Sequence, residues 1–240
     1  MKKKYLSVLI FFIIISLVTG IIAYRYFFIP KGIHINKSRY PITGIDISKH
    51  SGIIDWSEID NQHIDFVYIK ATEGQTYIDP NYSMNVRGAK GTHMKVGDYH
   101  FFRFNRSGVK QAENYLTHTR LTNIDLPPVL DVEEWGNFHT EKNVAEIKLE
   151  IKDFLKVVEP VIQRKVIIYT NKSTYNKFIR NEFPDNPIWI CSFIESEIMP
   201  DKREWLFWQH AHNGRIKGIE GYVDVNTFNG NRSEWKKYAY

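Results

Sequence analysis

Pro128-Val-Leu-Asp-Val-Glu133, then a long amphipathic stretch over Glu141–Val161, then Val166-Ile-Ile-Tyr-Thr170 read together as strand, crossover helix and parallel strand. The middle piece places Val144, Ile147, Ile151, Phe154, Leu155 and Val158 at helical spacing, a stripe suited to packing on a sheet. The flanking pieces are short and rich in β-branched residues, which favours strands. The same alternation extends outward. Ile42–Ser48, Phe66–Thr72 and Lys95–Phe104 are candidate strands before it, and Ile188–Phe193, Trp205–His210 and Gly221–Thr227 after it. Helical patterns cover Pro80–Lys90, Ser107–Leu121 and Ser173–Arg180. Strands alternating with helices predict an α/β protein with a parallel sheet. The last three strands leave little room for helices. The expected domain, 42–240, is a barrel that begins as β/α units and closes with plain strands.

In a closed parallel barrel the C-terminal ends of the strands converge on one face, where active sites are built. Those ends are rich in polar groups here. Asp46 lies late in the first strand, Glu73 ends the second, His100 lies in the third, and Asp131 and Glu133 end the fourth. Tyr169, Trp189 and Gln209 follow on the next three, and Asp224 and Asn226 on the last.

Asp131 and Glu133 are two residues apart. On a strand they would share a face, with Cα atoms roughly 6.6–7 Å apart. Two acids on the inner face of an apolar strand disfavour a common charge, so one keeps its proton while the other stays ionised. A proton donor beside an anion is what cleavage of a glycosidic bond requires. Asp-x-Glu also suits a loop that caps the next helix, so the tripeptide alone does not decide. Asp46 and Asp224 each stand between apolar neighbours, and a buried Asp must be paired or functional. Either one alone is explained by a turn or a cap; three strand ends of this kind point to a site. Glu134 should face away from its neighbours and serve structure. Glu73 could simply pair with Lys70. Strand-end Trp and Tyr residues could form platforms for sugar rings, offering an apolar body with a polar tip.

Composition excludes several other functions. Seven of the 32 basic residues precede the first acid, Asp46, leaving 25 against 27 acids, a formal net charge of −2. The globular part therefore lacks the basic excess of a nucleic-acid binder. The single cysteine, Cys191, excludes an intramolecular disulfide and Cys-based zinc sites, and reads as a small core residue. No phosphate-cradling Gly-rich loop and no Gly-x-Ser-x-Gly elbow occurs. His210 and His212 read as loop residues rather than metal ligands, and neither a metal nor a cofactor is expected. At the N-terminus a basic tail, 1–4, precedes an apolar run, 5–24, long enough for a transmembrane signal anchor. A linker, 25–41, would follow. The expected location is the cell membrane, single-pass, with the catalytic domain on the non-cytoplasmic side, or else outside the cell after signal cleavage.

The chain resembles glycoside hydrolase family 25, the Chalaropsis-type lysozymes. The matching segments are Gly44-Ile-Asp-Ile-Ser48, Ile54-Asp-Trp56, Phe66-Val-Tyr-Ile-Lys-Ala-Thr-Glu-Gly74, Gly97-Asp-Tyr-His-Phe-Phe102, Pro128-Val-Leu-Asp-Val-Glu133, Ile168-Tyr-Thr170, Trp208-Gln209 and Val223-Asp-Val-Asn226 with Phe228. They run in the family's order over Ile42–Phe228. The resemblance implies an irregular, TIM-like (β/α)-barrel of about five β/α units and three closing strands. It implies hydrolysis of the β-1,4 bond between N-acetylmuramic acid and N-acetylglucosamine in peptidoglycan. By position Glu133 matches the catalytic acid, and Asp46, Asp131 and Asp224 match the other site carboxylates. Glu73, Lys70 and Tyr169 match residues at the sugar subsites, and Trp189 and Gln209 join them as candidates. A non-catalytic membrane-anchored glycan-binding module and a hydrolase of another aminoglycan such as chitin are the alternative readings.

Overall fold

The computed structural model describes residues 10–21, 33, 35–119, 124–193, 199 and 201–239. The chain divides into two units, Met1–Lys31 and Gly32–Tyr240. In the first, a helix, α1, covers 10–21.

The second unit is built on β1 (Thr43–Ile47), β2 (Phe66–Glu73), β3 (Tyr77–Ile78), β4 (Lys95–Phe101), β5 (Val129–Asp131), β6 (Ile167–Asn171), β7 (Ile188–Cys191), β8 (Phe207–Gly214) and β9 (Val223–Phe228). Their order is β1-β9-β8-β7-β6-β5-β4-β2-β3, and the pairing of β1 with β2 closes eight of them into a barrel. The two-residue β3 is a flap on the edge of β2. Helices lie between the early strands: α2 (Trp56–Asp60), α3 (Tyr82–Lys90), α4 (Gly108–His118), α5 (Val144–Ile162) and α6 (Lys172–Thr174), which continues into a π-helical turn, Tyr175–Ile179. A terminal helix, α7 (Arg232–Ala239), follows β9.

The expected fold is corrected in two respects. The sheet is mixed, because β9 runs antiparallel to both β8 and β1. With no helix between β8 and β9, the chain turns back directly, which only an antiparallel pair permits. The N-terminal transmembrane helix is also overturned. Among the described residues no helix is long and apolar enough to cross a membrane. The remainder of the expected span, 5–9 and 22–24, lies outside the described residues, as do the tail 1–4 and positions 25–32 and 34 of the expected linker. Ile35 and Tyr40, in that linker, are buried.

Two apolar layers hold the barrel. The outer one packs the helices on the strands. It takes Ile147, Ile151, Phe154, Leu155 and Val158 from α5, the stripe seen in the sequence. That helix starts at Val144 rather than Glu141 because Asn143 and Glu146 form a capping box. The inner layer fills the barrel with Phe66, Tyr68, Val129, Ile167, Trp189, Phe207 and Phe228, and Trp235 of α7 joins them. Glycine makes room for two of these rings. A Cβ on Gly44 would come within 2.2 Å of the Phe66 ring, and one on Gly97 within 2.2 Å of the Tyr68 ring.

Candidate active site

Residues two positions further along the inward faces of these strands are no longer apolar. Lys70 follows Tyr68, Asp131 follows Val129, Tyr169 follows Ile167 and Gln209 follows Phe207. Asp46 of β1 stands directly opposite Asp224 of β9, and Asp131 opposite Tyr169. A cavity of about 580 Å³ opens here, lined by Asp46, Lys70, Glu73, Asp131, Glu133, Tyr169, Trp189, Gln209 and Asp224 among others. Every residue singled out in the sequence as catalytic or substrate-binding therefore borders one hollow. β5 ends at Asp131, so Glu133 lies just beyond the strand rather than on it. Its backbone is held there by Asn137 Nδ2, which donates to the Glu133 carbonyl at 2.9 Å.

Asp46 is the most firmly positioned acid. Its Oδ2 accepts from Asn226 Nδ2 at 2.8 Å and from Gln209 Nε2 at 3.0 Å. The Trp189 indole donates to Asn226 Oδ1 at 3.0 Å, and the Tyr169 hydroxyl to Gln209 Oε1 at 2.8 Å. Each amide is thus fixed with its NH2 towards the carboxylate. Trp189 and Gln209, at 2% and 3% exposure, act on this framework.

Burial raises the pKa of all four acids, by different routes. The Glu133 carboxyl is pushed up to about 7 by burial and then by the charge on Asp46. Asp224 is pushed up to about 8 by burial, then by Asp46 and Glu133. Asp131 is raised well above the carboxylate range by burial and then by Glu133, and its Oδ1 is buried without a hydrogen-bond partner. Asp46 is raised by burial, but its two amide donors oppose the rise, so it is the acid best suited to remain an anion. Cys191 also lies at this end of the barrel. Burial pushes its thiol up to about 12, so it is protonated at neutral pH and no nucleophile.

Glu73 belongs to a separate network. Lys70 Nζ lies 2.6 Å from its Oε2, and Arg103 Nε donates to its Oε1 at 2.8 Å. Burial works against this carboxylate, but Lys70 and then Arg103 outweigh it and hold its pKa below the ordinary value. Lys70 does pair with Glu73, as the spacing allowed, and both also face the cavity. Glu134 turns away and pairs with Lys177. His100 is buried in the core, where its Nδ1 shares a 2.7 Å hydrogen bond with Thr72 Oγ1. His210 Nδ1 meets the Ile33 carbonyl, and the His212 ring packs on Phe193.

Sequence reasoning missed Arg103, Lys49, Tyr77 and Trp135 as lining residues. Arg103 was the most discoverable, because a half-buried Glu73 needs more counter-charge than one lysine supplies. The others carry no periodic signal.

Among the described residues, an acid-lined cavity at the strand ends of a closed barrel is an arrangement suited to cleaving glycosidic bonds. The family described as Glycosyl hydrolases family 25 matches residues 45–219. The chain is 34% identical over 212 residues to Uncharacterized protein YegX of Escherichia coli O157:H7, covering 86% of this chain and 76% of that one. It is 33% identical over 200 residues to Lysozyme M1 of Streptomyces globisporus, covering 79% and 68%. A solved family 25 glycosyl hydrolase from Bacillus anthracis matches the fold with a TM-score of 0.80 at 34% identity, covering 88% and 98%. The chain belongs to glycosyl hydrolase family 25.

Proposed function

We propose that the chain is a lysozyme of the 1,4-β-N-acetylmuramidase type. It hydrolyses the β-1,4 bond from N-acetylmuramic acid to N-acetylglucosamine in peptidoglycan, with Glu133 as general acid. The observation that carries this reading is the Glu133 carboxyl at about 7, in a cavity it shares with Asp46, Asp131 and Asp224. An acid with a pKa near the working pH combines the right protonation state with the readiness to give the proton up. Glu133 protonates the leaving oxygen. The Asp46 anion stabilises positive charge developing at the anomeric carbon. Relatives named Lysozyme M1 and N,O-diacetylmuramidase support the choice of substrate.

The 2-acetamido oxygen of the substrate attacks the anomeric carbon in the route favoured here. Asp131 orients that group. Its carboxyl borders the cavity and accepts the acetamido N–H, and this hydrogen bond draws the carboxyl back towards its ionised form. Asp224, paired across the sheet with Asp46, completes the polar wall. Lys70, Glu73 and Tyr169 contact the sugars, while Trp189 and Gln209 act through Asp46. Because peptidoglycan lies beyond the cytosol, the catalytic unit works on the non-cytoplasmic side; a reporter fused after Tyr240 that proves cytosolic removes that part of the reading.

Glu133→Gln is expected to abolish release of reducing ends from peptidoglycan while the fold is retained. Undiminished release would end the assignment. The anomeric configuration of the first product tests the route, since attack by the acetamido group followed by water gives net retention. Net inversion eliminates it.

A further inference from the structure

Among the described residues that line the cavity, Trp135 is the one whose large apolar side chain is mostly uncovered, at 69% exposure. The neighbouring backbone is firmly held. Glu134 pairs outward with Lys177. The Gly136 carbonyl accepts from the Arg103 guanidinium, which also holds Glu73 and lies over the Phe101 ring at 5.0 Å. Gly136 has φ +75°, and a Cβ there would press on Phe101 at 3.2 Å and Arg103 at 3.4 Å. Asn137 accepts from the Phe104 N–H at 3.0 Å and donates to the carbonyls of Phe102 at 3.0 Å and Glu133 at 2.9 Å. Every residue of 134–137 except Trp135 is therefore anchored by its side chain or backbone.

A fixed segment that leaves an indole in solvent, two residues from the proton donor, is arranged to receive something. The cavity wall around it is polar and charged, so the occupant combines an apolar face with hydroxyl or amide edges. A pyranose ring has that character, and an indole face covers its C–H surface. We propose that Trp135 is a substrate-binding residue, stacking on the sugar ring at the Glu133 side of the cleaved bond. Arg103 holds it there by tying the Trp135–Gly136 segment to Glu73 on β2. The inference rests on the muramidase reading and adds to it a residue that binds the glycan rather than one that transfers a proton.

The test compares the full chain with Trp135→Ala and Trp135→Tyr on a soluble tetrasaccharide of alternating N-acetylglucosamine and N-acetylmuramic acid. Loss of a stacking face is expected to raise KM about tenfold, with a smaller change in kcat. Trp135→Tyr should recover most of that loss, and the pH dependence of kcat should keep its basic limb, because Glu133 is untouched. Binding of the same tetrasaccharide to Glu133→Gln should shield tryptophan fluorescence from acrylamide, and Trp135→Ala should remove that shielding, since Trp189, Trp205, Trp208 and Trp235 are already buried and the half-buried Trp56 does not line the cavity. Unchanged KM in Trp135→Ala, with cleavage by the unaltered chain intact, overturns this inference and leaves the muramidase reading standing. Absence of cleavage by the unaltered chain overturns both.

Discussion

At one end of the barrel the strands are plugged by rings; at the other, a few residues further along the same strands, they are lined by acids. The plug is dense. Phe66 lies 4.9 Å from Phe207 and 5.3 Å from Trp235, and Tyr68 lies 4.9 Å from Trp189 between ring centroids. Among its polar tips, the Tyr68 hydroxyl donates to the Pro127 carbonyl at 3.0 Å and the Trp189 indole to Asn226. Each such ring contributes roughly 1.5–3 kcal/mol by leaving water. The mouth does the reverse. It removes Glu133, Asp131 and Asp224 from water without a counter-charge for each, which costs stability wherever they would otherwise be ionised. The two ends differ in what pH does to them, and that difference can be measured.

The largest effect is expected from Glu133→Gln. Removing a general acid lowers kcat by about 10²–10⁴. Stability should move the other way. The Glu133 pKa in the folded chain, about 7, lies above its ordinary value of 4.5. Between those values the folded chain keeps a proton that the unfolded chain releases, so stability falls as pH rises through this window. Glutamine has no proton to lose. Thermal unfolding of Glu133→Gln should match the unaltered chain at pH 4 and exceed it by a few degrees at pH 8. Equal melting temperatures at pH 8 would mean that this end of the barrel carries no electrostatic cost.

Gly44→Ala should act in the opposite way at the plugged end. The added carbon meets the Phe66 ring, and Phe207 and Trp235 leave that ring little room to retreat. Overpacking of this kind costs about 1–3 kcal/mol. The rings that the added carbon presses on carry no carboxylate or imidazole, so the loss should be the same at pH 5 and pH 8 by urea denaturation. A loss that varies with pH would show that the two ends are not independent.

Much of this contrast was legible in the sequence, and for definite reasons. Asp46 in Gly-Ile-Asp-Ile-Ser and Asp224 in Tyr-Val-Asp-Val-Asn are acids set in apolar strands, a pattern that only pairing or function tolerates. The α5 stripe was visible because 3.6-residue periodicity survives without tertiary information. Strand direction is different. Alternation in Val223–Phe228 says which residues face inward but not which way the strand runs, so the antiparallel β9 was hidden. The apolar run before Ala23 showed avoidance of water, which does not determine helix length. Trp135 and Arg103 lie outside regular elements, where no period marks them.

The smallest effect separates the two causes of the Glu133 shift. Burial comes first and the Asp46 charge second. Asp46→Asn removes the charge and keeps the volume, so burial remains, opposed by the Lys70 charge. The Glu133 pKa should then fall below about 7 yet stay above the ordinary 4.5, read by carbon NMR of the labelled Glu133 carboxyl. The fall should be modest, because the Asn226 and Gln209 amides already draw on the Asp46 anion and a fixed neutral neighbour still excludes water. If the Glu133 resonance titrates where it did before, desolvation sets its proton affinity by itself. Asp46 would then act only on charge developing in the sugar, and the depth of Glu133 in the mouth, rather than its neighbours, would determine when it can donate.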